Sequence, residues 1–187
     1  MLWTLPNILT VSRMLLIPVM MLIFFLPYSW SSPVTAVIFS LAAITDWLDG
    51  YLARRLKQHS AFGAFLDPVA DKLMVAVALV LVLYKEPTLV LAVATAVIIG
   101  REITISALRE WMAELGKRAS VSVSALGKFK TTFQMIAIIL LLYREPLFGI
   151  SIYHLGYVCL IIAAILTVVS MLIYLRAAWP YMKENAN

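Results

Sequence analysis

The chain has 187 residues, of which 63% are hydrophobic and only 13% are charged. A single soluble core of this size cannot hide so much apolar surface, which excludes an ordinary soluble domain and predicts an integral membrane protein. The net charge of +5 does not indicate nucleic-acid binding, because the basic residues fall at predicted helix ends and beside an acidic cluster rather than on a soluble face.

Apolar runs long enough to cross a bilayer, about 20 residues each, predict six transmembrane helices. Their approximate ranges are 5–26, 33–54, 64–84, 88–112, 125–143 and 150–176. Proline-containing segments at 27–33, 85–87 and 144–146 mark the joints after the first, third and fifth helices. The predicted fold is therefore an all-α integral membrane protein, with one domain over residues 1–187.

The basic residues predict the orientation of these helices. Of the fifteen Lys and Arg residues, only Lys85 and Arg144 fall on the side of those three joints. The other thirteen lie on the opposite side or at the helix ends facing it, and loops rich in Lys and Arg stay in the cytoplasm. Both termini are therefore expected to be cytoplasmic.

Four aspartates stand in two pairs at the ends of two apolar runs: Asp46 with Asp49, and Asp67 with Asp71. The members of each pair are three or four residues apart, so each pair shares one face of a helix. An ionised carboxylate in the hydrocarbon region costs about 2.5–3.5 kcal/mol, so four together need strong positive partners. All-oxygen ligands suit Mg²⁺, and the pairs predict a divalent-metal site near the cytoplasmic face.

Small and basic residues fill the segment between the two pairs. Gly50, Ala53 and Gly63 allow helices or a ligand to approach closely, and Arg54 can make paired hydrogen bonds to phosphate oxygens. Carboxylates, metal, arginine and small residues together indicate a binding site for a diphosphate.

These positions form the pattern D-x2-D-G-x2-A-R-x8-G-x3-D-x3-D, with eight fixed residues in the 26 positions from Asp46 to Asp71. The pattern resembles the signature of the CDP-alcohol phosphatidyltransferases. That resemblance implies a CDP-linked lipid donor such as CDP-diacylglycerol, CMP as the leaving group, and direct displacement by an alcohol. It also implies two Mg²⁺ ions with Mn²⁺ as a substitute, a homodimer, and a bacterial inner membrane.

The resemblance also implies roles for single residues. Asp46, Asp49 and Asp67 would be the main metal ligands, and Asp71 would be the general base and a further ligand. An element P-N-x-x-T-x-x-R, present here from Pro6 to Arg13, lines the nucleotide or phosphate pocket in that family. The residues expected to bind CDP-diacylglycerol are Asn7, Thr10, Arg13, Asp49, Gly50, Ala53, Arg54 and Gly63.

Residues 101–130 hold six cations, which makes a second phosphate pocket plausible and favours a phosphorylated acceptor. The segment R-E-I-T-I-S-A-L-R-E-W-M-A-E-L-G-K-R, followed by G-K-F-K-T, resembles family members whose acceptor is glycerol 3-phosphate. The residues expected to hold its phosphate are Arg101, Arg109, Arg118, Lys128 and Lys130, with Arg109 and Lys128 the first choices. Glutamates in the same stretch could pair with some of these cations and remove them from the substrate.

Two other interpretations stay open at this point. The acceptor could be inositol phosphate instead of glycerol 3-phosphate, whereas serine carries no phosphate and fits the basic segment poorly. Intramembrane acidic residues also mark ion pathways, so a divalent-cation transporter is the alternative from another class. Against transport, all four aspartates cluster near one predicted face.

Overall fold

The computed structural model describes residues 5–56, 61–116, 125–147, 149 and 151–184. These residues form six α-helices, which agrees with the all-α prediction. The helices are α1 (Leu5–Phe24), α2 (Ser31–Leu56), α3 (Ala61–Lys85), α4 (Leu89–Glu114), α5 (Ala125–Tyr143) and α6 (Ile152–Glu184).

Three of the helices are long and apolar enough to cross a membrane. These stretches are Asn7–Phe24, Leu89–Glu114 and Ile152–Lys183, while α2 and α5 contain the shorter apolar stretches Ser31–Asp46 and Phe129–Tyr143. Many large apolar side chains point outward, with Leu22 71% and Leu89 81% exposed. Such a surface is stable against lipid rather than water, so the chain is a membrane protein.

Local chemistry sets where α4 begins and α5 ends. Thr88 has an extended backbone, and its hydroxyl accepts a hydrogen bond from the amide of Leu91, which caps the first turn of α4. After α5, Arg144 adopts a positive φ of 63°, and its Nη2 donates to Glu86 Oε2 at 3.0 Å. That ion pair ties the end of α5 to the end of α3.

Contacts between helices show which ends lie together. Early residues of α1 contact the late part of α2 and the early part of α3, as the pairs Arg13–Asp46 and Thr10–Asp67 show. An early lysine of α5, Lys130, contacts the second half of α4. We call this the aspartate end of the bundle, and the end that holds the Arg144–Glu86 pair the opposite end.

The buried apolar residues fall into two cores. The larger core joins α1, α2, α3 and α5 with the opposite-end halves of α4 and α6, around residues such as Phe39 and Ile138. A smaller core joins α4 and α6 at the aspartate end through Ile105, Met112 and Tyr174. Because α4 packs on α3 and α6 rather than on the described part of α5, space is left between the two cores.

Helices α5 and α6 approach each other closely at Gly156 in α6. A Cβ added there would lie 2.9 Å from the Cβ of Leu140 and 3.0 Å from the backbone nitrogen of Leu141, both in α5. Neither atom can move without shifting the helix. We therefore expect Gly156→Ala to lower the free energy of unfolding by about 1–3 kcal/mol, measured by thermal unfolding in detergent.

Gly100 provides the matched control for this substitution. It also lies inside a helix, but an added Cβ would meet nothing within 4 Å. Gly100→Ala should leave stability unchanged or raise it by about 0.5–1 kcal/mol, because alanine loses less backbone entropy in a helix. A Gly156→Ala protein as stable as Gly100→Ala would contradict the close approach of α5 and α6.

Candidate active site

Arg13 is the residue on which two aspartates converge. It lies in α1, is only 1% exposed, and its Nη1 donates to Oδ1 of Asp46 in α2 at 2.9 Å and to Oδ1 of Asp71 in α3. A buried guanidinium requires such anionic partners, because an unpaired charge away from water is strongly unfavourable. One ionic cluster therefore fixes three helices relative to one another.

Thr10 and Asp67 extend the cluster by one turn toward the aspartate end. Thr10 precedes Arg13 by three residues, so both lie on one face of α1, and its hydroxyl donates to Oδ1 of Asp67. Asn7, three residues earlier on that face, is also buried. The polar stripe of α1 therefore packs against the aspartates of α2 and α3.

A cavity of about 1050 Å³ opens beside this cluster. Helices α1 to α5 contribute its walls, and apolar residues such as Phe39, Ala42 and Met74 line part of it. The polar residues that line it are Arg13, Asp46, Asp67, Asp71, Lys72, Arg101, Glu102, Ser106, Arg109, Glu110, Thr131 and Gln134. This volume lies at the upper end of the range typical for sites that hold a cofactor or a drug-sized ligand.

The carboxylates present a donor set that fits a divalent cation. Asp46 and Asp71 already share one positive partner, and their side chains remain 43% and 42% exposed, so each has surface left for a further ligand. Carboxylate oxygens are the ligands that Mg²⁺ prefers. Among the described side chains, no three acidic, histidine or cysteine residues form a complete metal site. Asp49 cannot be counted, because its side chain lies outside that set.

A pair of arginines in α4 forms another part of the cavity wall. Arg101 donates to the hydroxyl of Ser170 at 3.3 Å, and Arg109 donates to the hydroxyl of Tyr174 at 3.1 Å. The guanidinium carbons of Arg101 and Arg109 lie 5.6 and 5.3 Å from the centroid of the Tyr174 ring. Tyr174 is thus a shared platform that attracts both cations to its π face.

Glu102 balances part of this positive charge. Its Oε1 accepts hydrogen bonds from Lys130 in α5 and, at 3.4 Å, from Arg101. Lys130 is 2% exposed, so its ammonium depends on this carboxylate for an anionic partner. The expectation that glutamates could pair with some of the basic segment thus applies to Lys130 and Arg101. Arg109 keeps a neutral partner, the Tyr174 hydroxyl.

The side chains of several predicted site residues lie outside the described part of the structure. Arg118 lies outside the described residues. At five further positions in α2 and α5, the structure describes the backbone but not the side chain. These are Asp49, Gly50, Ala53, Arg54 and Lys128. Gly63 is described and is buried near the start of α3. The structure therefore brings together Arg13, Asp46, Asp67, Asp71, Arg101 and Arg109, which line a single cavity.

Sequence reasoning missed three residues of the site. Ser170 and Tyr174 are four apart in α6, so they share a face, and this spacing of polar groups in an apolar helix is a signal that could have found them. Gln134 follows Lys130 by four residues in α5 and also lines the cavity. Even so, the sequence gives no indication of which helix these polar side chains face.

Comparison with known proteins identifies the family of the chain. The family model described as CDP-alcohol phosphatidyltransferase matches residues 3–175, so the chain belongs to that family. The chain is 57% identical to the CDP-diacylglycerol–glycerol-3-phosphate 3-phosphatidyltransferase of Pseudomonas fluorescens, over 96% of this chain and 92% of the relative. It is 52% identical to the proteins of that name from Salmonella choleraesuis and Shigella flexneri, over 94% of this chain and 95% of each relative.

The charge network around Glu102 leads to a prediction about stability. Glu102→Gln would leave the buried Lys130 and Arg101 without their shared anion, so we expect a loss of about 3–5 kcal/mol in unfolding free energy. Thermal unfolding in detergent measures the loss. Glu86→Gln is the matched control, because it breaks the more exposed pair with Arg144 and should cost at most about 1 kcal/mol. Equal losses in the two proteins would contradict the buried network.

Proposed function

We propose that this protein transfers the phosphatidyl group of CDP-diacylglycerol to glycerol 3-phosphate, giving phosphatidylglycerophosphate and CMP. The observation that supports it most is one cavity that joins three aspartates to the two arginines of α4. Membership of the family supports the CDP-linked donor, and the names of the relatives support the acceptor. The reaction belongs to phospholipid biosynthesis.

All six helices would cross a bacterial inner membrane, with the aspartate end and both termini in the cytoplasm. The position of thirteen of the fifteen basic residues supports this orientation. It also suits the substrates, since the acceptor and CMP are polar and soluble while the donor enters from the bilayer. Homodimerisation stays a prediction from the family resemblance.

The donor would bind along α1, α2 and the start of α3. Arg54 would hold a phosphate, Gly50 and Ala53 would leave room for the cytidine and the diphosphate, and Gly63 would keep α2 and α3 close. The polar stripe of α1, formed by Asn7, Thr10 and Arg13, would line the same pocket. The buried position of this stripe beside the aspartates supports its role.

Asp46, Asp49, Asp67 and Asp71 would hold two Mg²⁺ ions, for which Mn²⁺ can substitute. When bound, the ions neutralise phosphate charge and polarise the reacting phosphorus–oxygen bonds. The primary hydroxyl of glycerol 3-phosphate attacks the phosphorus nearest the lipid, a new P–O bond forms, and the bond to CMP breaks. Asp71 takes the hydroxyl proton, and Arg13 fixes the orientation of its carboxylate.

The phosphate of the acceptor would bind the cations of α4 and α5. Among the described residues, Arg109 contacts a neutral hydroxyl and an aromatic ring, so its charge is available to a phosphate. Arg101 and Lys130 share Glu102 and would contribute less. Arg118 and Lys128 are proposed from the sequence alone.

Inositol phosphate is the second candidate acceptor. It would use the same phosphate-binding cations, and the cavity volume of about 1050 Å³ does not exclude a six-membered ring. The names of the relatives favour glycerol 3-phosphate. A transporter fits poorly, since the chain belongs to a transferase family and its described aspartates lie at one end of the bundle.

CMP release tests the reaction directly. The purified protein in detergent, with CDP-diacylglycerol and Mg²⁺, should release CMP with glycerol 3-phosphate but not with serine. Asp71→Asn should lower kcat by about 10²–10⁴-fold, the range of a lost general base. Turnover with inositol phosphate instead would overturn the acceptor. No turnover by a folded protein with any of these acceptors would overturn the proposed reaction.

Tyr174 is proposed as a positioning residue for the acceptor phosphate. Tyr174→Phe removes the hydroxyl that accepts from Arg109 but keeps the ring, so the arginine is held less firmly. We expect KM for glycerol 3-phosphate to rise about 5–10-fold, because Arg109 loses a hydrogen bond that orients it, with little change in kcat. Tyr157→Phe is the control, because Tyr157 is partly buried against the larger core, and it should change neither constant. A fall in kcat alone would argue against this role.

A further inference from the structure

Gln134 in α5 is a buried polar residue that the reaction proposed above leaves without a task. It is 3% exposed, it lines the cavity, and its Oε1 accepts no hydrogen bond from any residue that the structure describes. A buried amide oxygen without a donor has lost the hydration it has in water. A ligand in the cavity that supplies an O–H or N–H group to this oxygen therefore binds more favourably.

The position of Gln134 limits what that ligand group is. Gln134 lies four residues after Lys130, so the two side chains share a face of α5, about 6 Å apart along the axis, which is slightly more than one turn. Since α5 begins at the aspartate end, Gln134 is the deeper of the two. The phosphate-binding cations of α4 and the carboxylate of Asp71 line the same cavity as Gln134.

Glycerol 3-phosphate carries three groups that need partners. Its phosphate is assigned to the cations, and its primary hydroxyl, which reacts, is assigned to Asp71. Its secondary hydroxyl, which does not react, has no partner among the residues assigned so far. A hydroxyl donates one hydrogen bond, and an amide oxygen is a suitable acceptor.

Two other side chains that line the cavity carry hydroxyls, and each already donates its proton to a backbone carbonyl, so only its oxygen lone pairs remain for a ligand. Ser106 donates to the carbonyl oxygen of Glu102 at 2.6 Å, and Thr131 donates to that of Gly127 at 2.9 Å. Gln134 differs because its acceptor atom is buried and has no described partner.

We propose that Oε1 of Gln134 accepts a hydrogen bond from the secondary hydroxyl of the glycerol 3-phosphate acceptor, and that this contact selects a polyol phosphate over a simple hydroxyalkyl phosphate. The inference rests on the proposed function. Without this hydroxyl, the buried oxygen stays unpaired when the cavity is filled. A site built to bind a hydroxyl rejects an analogue that lacks it for this reason.

The test compares glycerol 3-phosphate with 3-hydroxypropyl phosphate, which keeps the phosphate and the reacting primary hydroxyl but lacks the secondary one. We expect the wild-type protein to prefer glycerol 3-phosphate by about 10–100-fold in kcat/KM. In Gln134→Met, which keeps the length of the side chain but loses the amide, the preference should fall to about twofold or less. The loss should come from slower use of glycerol 3-phosphate, with the analogue nearly unaffected.

Ile138→Val is the matched control, because Ile138 lies one turn further along α5, is fully buried in the larger core and is absent from the cavity wall. Its preference should equal that of the wild-type protein. A preference that survives in Gln134→Met, or that Thr131→Val abolishes instead, overturns the assignment to Gln134.

The two acceptors also test the inference on the wild-type protein alone, should Gln134→Met not fold. Equal kcat/KM values for the two acceptors overturn the inference and leave the proposed function intact, since CMP is still released. No CMP release with glycerol 3-phosphate from folded wild-type protein overturns the proposed function and this inference with it. A clear preference for glycerol 3-phosphate that Gln134→Met removes supports both.

Discussion

The ionic cluster at Arg13 is the constraint on which the arrangement of the other helices depends. A guanidinium that is 1% exposed inside an apolar bundle is stable only where anions reach it, and Asp46 and Asp71 come from two different helices. Their contacts to one nitrogen fix the depth and rotation of α1, α2 and α3 together. The same contacts hold two carboxylates side by side at the cavity, so the stability of the bundle and the geometry of the site have one origin.

The cavity exists because α4 does not pack directly against the described part of α5. The apolar face of α4 packs on α3 toward the opposite end and on α6 toward the aspartate end, where it forms the smaller core around Met112 and Tyr174. The gap is spanned by Glu102 and Lys130, whose long side chains meet across it. A polar bridge of this kind leaves space for ligand that direct apolar packing would have filled. The pairing of Lys130 with Glu102 also limits the net positive charge that the bundle buries.

Much of the fold follows from composition and spacing, and less of the site does. Six apolar runs and their breaks predicted the six helices, and a spacing of four placed Asp67 with Asp71 on one helical face. Helical periodicity predicts which residues are neighbours within one helix, but it does not predict which face of α6 packs against which face of α4. The contact of Tyr174 with Arg101 and Arg109 depends on that long-range packing, and so no local pattern predicted it.

Gln134 is a second residue whose environment could not be predicted from the local sequence. In the sequence, Gln134 is one polar residue in an apolar helix, and its neighbours do not indicate a function for it. Its significance appears only when its burial, an oxygen with no partner among the described residues, and its position in the cavity wall are considered together. In the proposed reaction the charged groups would supply most of the attraction for a phosphate, but every phosphorylated alcohol offers them the same group. Discrimination between such alcohols therefore has to come from neutral, directional contacts deeper in the cavity, where an unpaired acceptor is most costly.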